Sequence, residues 1–207
     1  RLLLVNASCA FSETMDIVSS ITDLYKGNNW KDIIDKYHDH PERNKLLWVY
    51  PSEENFEFIN KSLVELNCDK ILSIGCGSGL LEWMITEATG IPVSGIEVDG
   101  AWWRCKYAPP MFIPLHFTPA ELDKDTISIL QRNNKTALLF CYFNNRKAFE
   151  DYLQYYRGNV MIIIGPHKKG VHTDPLPFDD VSSDWVLYKS QEIRSSGDHI
   201  VVYKKSL

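Results

Sequence analysis

Ile71-Leu72-Ser73-Ile74-Gly75-Cys76-Gly77-Ser78-Gly79-Leu80-Leu81-Glu82 constrains this chain more than any other stretch. An apolar run short enough for a buried strand meets three glycines at alternate positions, and a helical apolar pattern starts directly after them. Glycines so placed allow positive φ and let a ligand lie against bare backbone, while a helix N-terminus turns unpaired N–H donors toward it. The next apolar run, Val93-Ser94-Gly95-Ile96-Glu97-Val98-Asp99, brings Glu97 about 20 residues beyond the first glycine. A carboxylate there can accept both hydroxyls of a ribose.

From Lys70 onward short apolar runs alternate with helical stretches, the pattern of a parallel sheet with crossover helices. Strands are predicted at Ile71–Ile74, Val93–Val98, Phe112–Phe117, Ala137–Phe143 and Val160–Ile164, and helices at Gly79–Thr89, Leu122–Arg132 and Lys147–Tyr156. Trp185–Ser190 and Ile200–Lys204, joined through Ser195-Ser196-Gly197-Asp198, read as an antiparallel pair at the sheet edge. Before Lys70 the chain reads helical: one helix capped by Ser12, a short one over Trp30–Tyr37, and a third capped by Ser52. Residues 1–69 are therefore expected to form a helical cap packed on a core of residues 70–207, within one structural domain.

Composition narrows the function classes. With 22 basic against 27 acidic residues in 207, net charge −5, the chain lacks the basic footprint of phosphate-backbone binding, and nucleic acid as a partner is unsupported. No apolar run approaches the roughly 20 residues of a membrane span. The five cysteines contain no C-x-x-C pair and read as reduced thiols, so a cytoplasmic location is expected, with three sequons at Asn6, Asn60 and Asn134 as the secretory counter-signal.

A dinucleotide fingerprint requires glycine where Leu80 stands, which disfavours a nicotinamide oxidoreductase. The Gly75-x-Gly77-x-Gly79 turn followed by Glu97 instead resembles the first two motifs of the Rossmann-like, class I S-adenosylmethionine-dependent methyltransferases, over roughly residues 46 to 204. The resemblance implies an α/β fold with a doubly wound, mostly parallel seven-stranded sheet and an antiparallel C-terminal edge pair. It implies S-adenosylmethionine as cofactor, with S-adenosylhomocysteine as product. By match, Gly75, Cys76, Gly77 and Gly79 lie against the methionine and ribose portions, and Glu97 and Val98 at the ribose. Ser73 stands where family members often carry an acidic residue. One of Trp102 and Trp103 is a candidate cover for adenine or wall for the substrate, Phe117 and Thr118 are candidates for packing on adenine and bonding to it, and Tyr50 for a lid; Phe117 fits a core position equally well.

Methyl transfer is an in-line displacement in which alignment does much of the work, and a base is needed only for an acceptor carrying a proton of high pKa. Positions after the fourth and fifth strands nominate Tyr142, Asn144 and His167 as catalytic, with Asn145 and His172 nearby. His38-Asp39-His40 reads as a solvated turn, and no metal site is expected. The acceptor is not identified, a protein partner is open, and the rival reading is a methyltransferase-like binding or scaffold protein without catalysis.

Overall fold

In the computed structural model, which describes residues 16–168 and 173–206, every residue of strand β1 (Lys70–Ile74) after Lys70 is buried. Side chains alternate across a strand, so an apolar run such as this serves two cores. Ile71 packs in one with Ile21, Ile33, Phe56 and Leu81; Leu72 and Ile74 pack in the other with Leu130, Phe149 and Tyr152. The helices α1 (Ile17–Lys26), α2 (Trp30–Tyr37), α3 (Glu53–Glu65) and α4 (Leu80–Thr89) supply the first core, and α6 (Lys124–Gln131) and α7 (Arg146–Tyr155) the second. A single turn, α5 (Gly100–Trp103), capped by Asp99, was not expected from the sequence.

The strands β2 (Val93–Glu97), β3 (Leu115–Phe117), β4 (Thr136–Cys141), β5 (Val160–Pro166), β6 (Trp185–Ile193) and β7 (Asp198–Lys205) complete a sheet of order β3-β2-β1-β4-β5-β7-β6. Strands β1 to β5 run parallel, and β7 lies antiparallel between β5 and β6. This is the expected doubly wound sheet with its antiparallel edge pair. The order reverses between β1 and β4, and a crevice opens at the carboxyl ends of strands at such a point.

The third strand is three residues long rather than the predicted six. Pro114 has no N–H to give a ladder, and the Phe112 N–H is drawn to the Ser78 carbonyl at 2.8 Å. Strand β5 runs on through Pro166, two residues past its predicted end. Helix α3 begins at the predicted cap: Ser52 and Asn55 form a reciprocal capping box. The Ser12 cap predicted for the first helix lies outside the described residues, within which Asp16 occupies the cap position. Among the described residues no helix is long and apolar enough to cross a membrane, and no cluster of metal-ligating side chains occurs.

Candidate functional site

The turn after β1 is held in shape by left-handed backbone at Gly75, Gly77 and Gly79, with φ of +66°, +60° and +78°. The Gly75 N–H donates to the Ile96 carbonyl at 2.9 Å, and the Gly77 N–H donates to Glu97 Oε1 at 2.8 Å. Glu97 Oε2 accepts from the Val98 N–H at 3.0 Å. The carboxylate predicted from its spacing therefore stands over the glycine turn, tied to it through Oε1, while Oε2 is held by the backbone of its own strand end. An ionised carboxylate offers about four acceptor directions, so capacity for a diol remains.

Two cavities adjoin this turn. One, about 370 Å³, is lined by Gly75, Ile96, Glu97, Val98, Leu122, Phe143, Asn144 and Tyr152 among others. The other, about 230 Å³, lies between the turn and the segment before α3, with Leu46, Trp48, Cys76, Gly77, Glu82 and Trp103 in its wall. Gly75 and Tyr142 border both. The cavities thus meet where β1 and β4 end, at the reversal of strand order. A Cβ placed on Gly77 would meet nothing within 4 Å, whereas one on Gly79 would collide with the Ile113 side chain. Gly77 borders open space; Gly79 is small for packing.

Gly75, Cys76, Gly77, Glu97, Val98, Tyr142 and Asn144 are brought together here. Tyr142 adopts φ +51°, rare for a residue with a side chain, and its Oη donates to Asp198 Oδ1 at 2.7 Å. Its ring stacks on Trp48 with centroids 5.8 Å apart. Burial and the neighbouring Asp198 raise its phenol above the ordinary range, so it stays protonated.

Other predicted residues stand apart. Tyr50 is buried in the first core, its Oη donating to the Arg43 carbonyl at 3.1 Å, and Trp48, two residues earlier, reaches the cavity instead. Trp102 points outward, and its neighbour Trp103 lines the smaller cavity. Phe117 lies under the Arg104 guanidinium, 4.8 Å from its ring, and borders neither cavity. Thr118 is buried and accepts from the Thr126 hydroxyl at 2.9 Å, spending its side chain on α6. His167 is carried past the rim by the extra length of β5; its N–H donates to the Gly197 carbonyl, and its ring packs against Phe178 and His199. Asn145 caps α7. His172 lies outside the described residues.

Sequence reasoning missed Glu82. It is wholly buried on the first turn of α4, accepts a 2.6 Å hydrogen bond at Oε1 from Ser73 Oγ, and has no partner at Oε2. Burial is the main cause that pushes its carboxyl up to about 7, with the Glu97 charge adding to the rise and the Ser73 bond opposing it. The signal was a lone charge within the apolar run Leu80-Leu81-Glu82-Trp83-Met84-Ile85. The thiols of Cys76 and Cys141 are raised by burial, which keeps them protonated and poor nucleophiles.

No family model matches the sequence, and no curated protein matches it. Solved structures do match the fold. A variant of MtNAS in complex with S-adenosylmethionine superposes with a TM-score of 0.52 at 11% identity, covering 92% of this chain and 78% of that one. Cofactor-bound Rv0187 from MTB matches with a TM-score of 0.50 at 13% identity, covering 91% of this chain and 95% of that one. A Klebsiella pneumoniae protein provisionally named as an O-methyltransferase matches with a TM-score of 0.50 at 13% identity, covering 84% and 90%. At such identities the likeness is one of fold.

Proposed function

From a chain that has the fold of the class I S-adenosylmethionine-dependent methyltransferases, we propose that it binds S-adenosylmethionine across the two cavities and transfers the methyl group to an acceptor beside Tyr142 and Asn144. The observation that carries this reading is the Glu97 carboxylate bonded to the Gly77 N–H at the junction of the cavities. The residues suit such a ligand: the larger cavity has apolar walls at Ile96 and Leu122 for an adenine and Glu97 for the ribose diol, and Gly77 leaves space for a chain to pass over bare backbone. When bound, the cofactor supplies an electrophilic methyl group on a sulfonium, whose electron pair returns to sulfur as the acceptor bonds to carbon.

The chain's own part is alignment and exclusion of water. Tyr142, fixed by Asp198 and Trp48, borders both cavities and holds the acceptor in line; Asn144 offers an amide at the larger cavity to orient it. The raised phenol of Tyr142 keeps its one proton in the bond to Asp198, so it is a fixed wall rather than a base. His167 remains a candidate proton acceptor only for an acceptor that extends past the rim toward Phe178 and His199. In this reading residues 70–207 are the catalytic core and residues 1–69 its cap, whose Leu46 and Trp48 wall the smaller cavity.

Calorimetric titration with S-adenosylmethionine and S-adenosylhomocysteine tests the proposal. One saturable site is expected, and Glu97→Ala weakens it by about 1 to 3 kcal/mol, the range for a charged hydrogen bond. Ligand at about 100 times its dissociation constant adds roughly 2.7 kcal/mol to stability, visible as a thermal shift. Absence of binding at millimolar ligand would overturn the reading in favour of a protein-binding role without catalysis.

A further inference from the structure

We infer that Glu82, brought in by α4 and held by Ser73, is a binding site for a primary ammonium group in the smaller cavity, an inference that rests on an adenosine-type ligand occupying the paired cavities. Glu82 Oε2 is buried beside that cavity and has no hydrogen-bond partner, which a fold tolerates poorly unless the atom has use for a donor from outside. Ser73 satisfies and orients the other oxygen, so the carboxyl is set in one direction. The side chain makes no ion pair among the described residues. Lys45, the cation in the same wall, is engaged by Asp16 at 3.2 Å and Glu42 at 2.7 Å.

The ionisable groups whose fields reach Glu82 are Glu97 and the Cys76 and Cys141 thiols, and none is a cation. The carboxyl therefore lacks both a donor and a countercharge. A water or hydroxyl would supply the first alone; an ammonium supplies both, and a charge buried without its counterpart is the costly arrangement. Burial, which with the Glu97 charge raises this carboxyl to about 7, makes the site proton-linked: the ammonium is held when Glu82 is ionised.

Two sources present this chemistry, the amino-acid tail of the cofactor and an amine acceptor. Three probes separate them: 5′-methylthioadenosine, which lacks both; S-adenosylhomocysteine, which has the tail ammonium; and sinefungin, which has the tail and an amine in place of the transferred methyl. Glu82→Gln keeps the shape and can keep the Ser73 bond. At pH 8 it is expected to bind 5′-methylthioadenosine within twofold of wild type and to lose at least tenfold for S-adenosylhomocysteine if the tail is the source. If the acceptor is the source, the loss is confined to the added affinity of sinefungin.

Lowering pH from 8 to 6 should weaken the same ammonium-bearing probe in wild type and not in Glu82→Gln. Adding Ser73→Asp to Glu82→Gln returns a carboxyl to the pair from the strand side and should restore part of the loss. Should Glu82→Gln fail to fold, Ser73→Ala, which unpins the carboxyl, is expected to weaken the same probe by a smaller factor. Equal effects on all three probes, or none on any, would overturn the assignment of Glu82 and leave the cavity reading standing. Failure of wild type to bind any of the three would overturn both.

Discussion

Glu82 keeps its carboxyl behind one hydrogen bond, so its proton is part of the stability of the fold. Its folded pKa of about 7 lies above the ordinary value of 4.5, so this contribution is fully present below about pH 4.5 and is lost as pH rises through 7. Denaturation of wild type and Glu82→Gln across pH 5 to 8 should therefore diverge, wild type losing about 3 kcal/mol relative to the variant by pH 8. Parallel curves would mean that the carboxyl is already ionised in the fold. The glycines divide in the same way. Gly79→Ala, pushed into Ile113 at positive φ, should cost about 1 to 3 kcal/mol by denaturant midpoint, and Gly77→Ala, facing open space, only the backbone term of about 1. Gly77→Trp should leave a folded protein that does not bind the proposed S-adenosylmethionine; retained affinity would remove Gly77 from the site. Glu97 was legible because its distance from the glycines follows from one crossover. Glu82 was not, because a glutamate in an apolar helix turn gives no sign of which strand residue it will face, and Ser73 alone reads as a missing acid.

At the scale of elements, α3 is anchored at both its cap and its face. Asn55 closes the capping box with Ser52 and donates to Gln191 Oε1 at 2.8 Å and the Glu192 carbonyl at 3.1 Å, joining α3 to β6. Ser52→Ala should cost about 1 kcal/mol, and Asn55→Leu about 2 to 3, because it strands the Ser52 N–H and the Glu192 carbonyl as well. Equal midpoint shifts would show that the cap alone matters. The cap was readable from Ser52 before an apolar helical pattern; the bond to β6 spans more than a hundred residues and leaves no local trace. The same holds for β3, where a six-residue apolar run yields a three-residue strand because Phe112 is claimed by the first core and the Ser78 carbonyl. Trp48 in place of Tyr50 is a slip of two positions in a segment with no regular period, where sequence spacing does not set side-chain direction; of the pair on α5, it is Trp103 that lines the smaller cavity.

Across the whole molecule, the sheet was legible from the alternation of runs, and part of its edge order was written there too. Strand β7 carries the buried run Ile200-Val201-Val202-Tyr203, as a strand with neighbours on both sides should, while β6 is buried only at its two ends and exposes the adjacent Val186 and Leu187. As the edge strand, β6 has a register shift between Leu187 and Lys189, a means by which edges resist further pairing. The turn between β6 and β7 holds Arg194, whose Nε donates to the Tyr50 carbonyl at 2.9 Å and whose Nη2 donates to the Ile34 carbonyl at 3.2 Å. That one guanidinium staples the segment carrying Leu46 and Trp48 to the far edge of the sheet, and this segment is also a wall of the smaller cavity. A ligand seated there leaves only as fast as the wall yields, so residence time should be governed from the hairpin. Stopped-flow exchange in Arg194→Ala is expected to speed entry and exit together while the equilibrium constant changes less than threefold. The tempo of ligand exchange would then belong to an arginine that lines neither cavity.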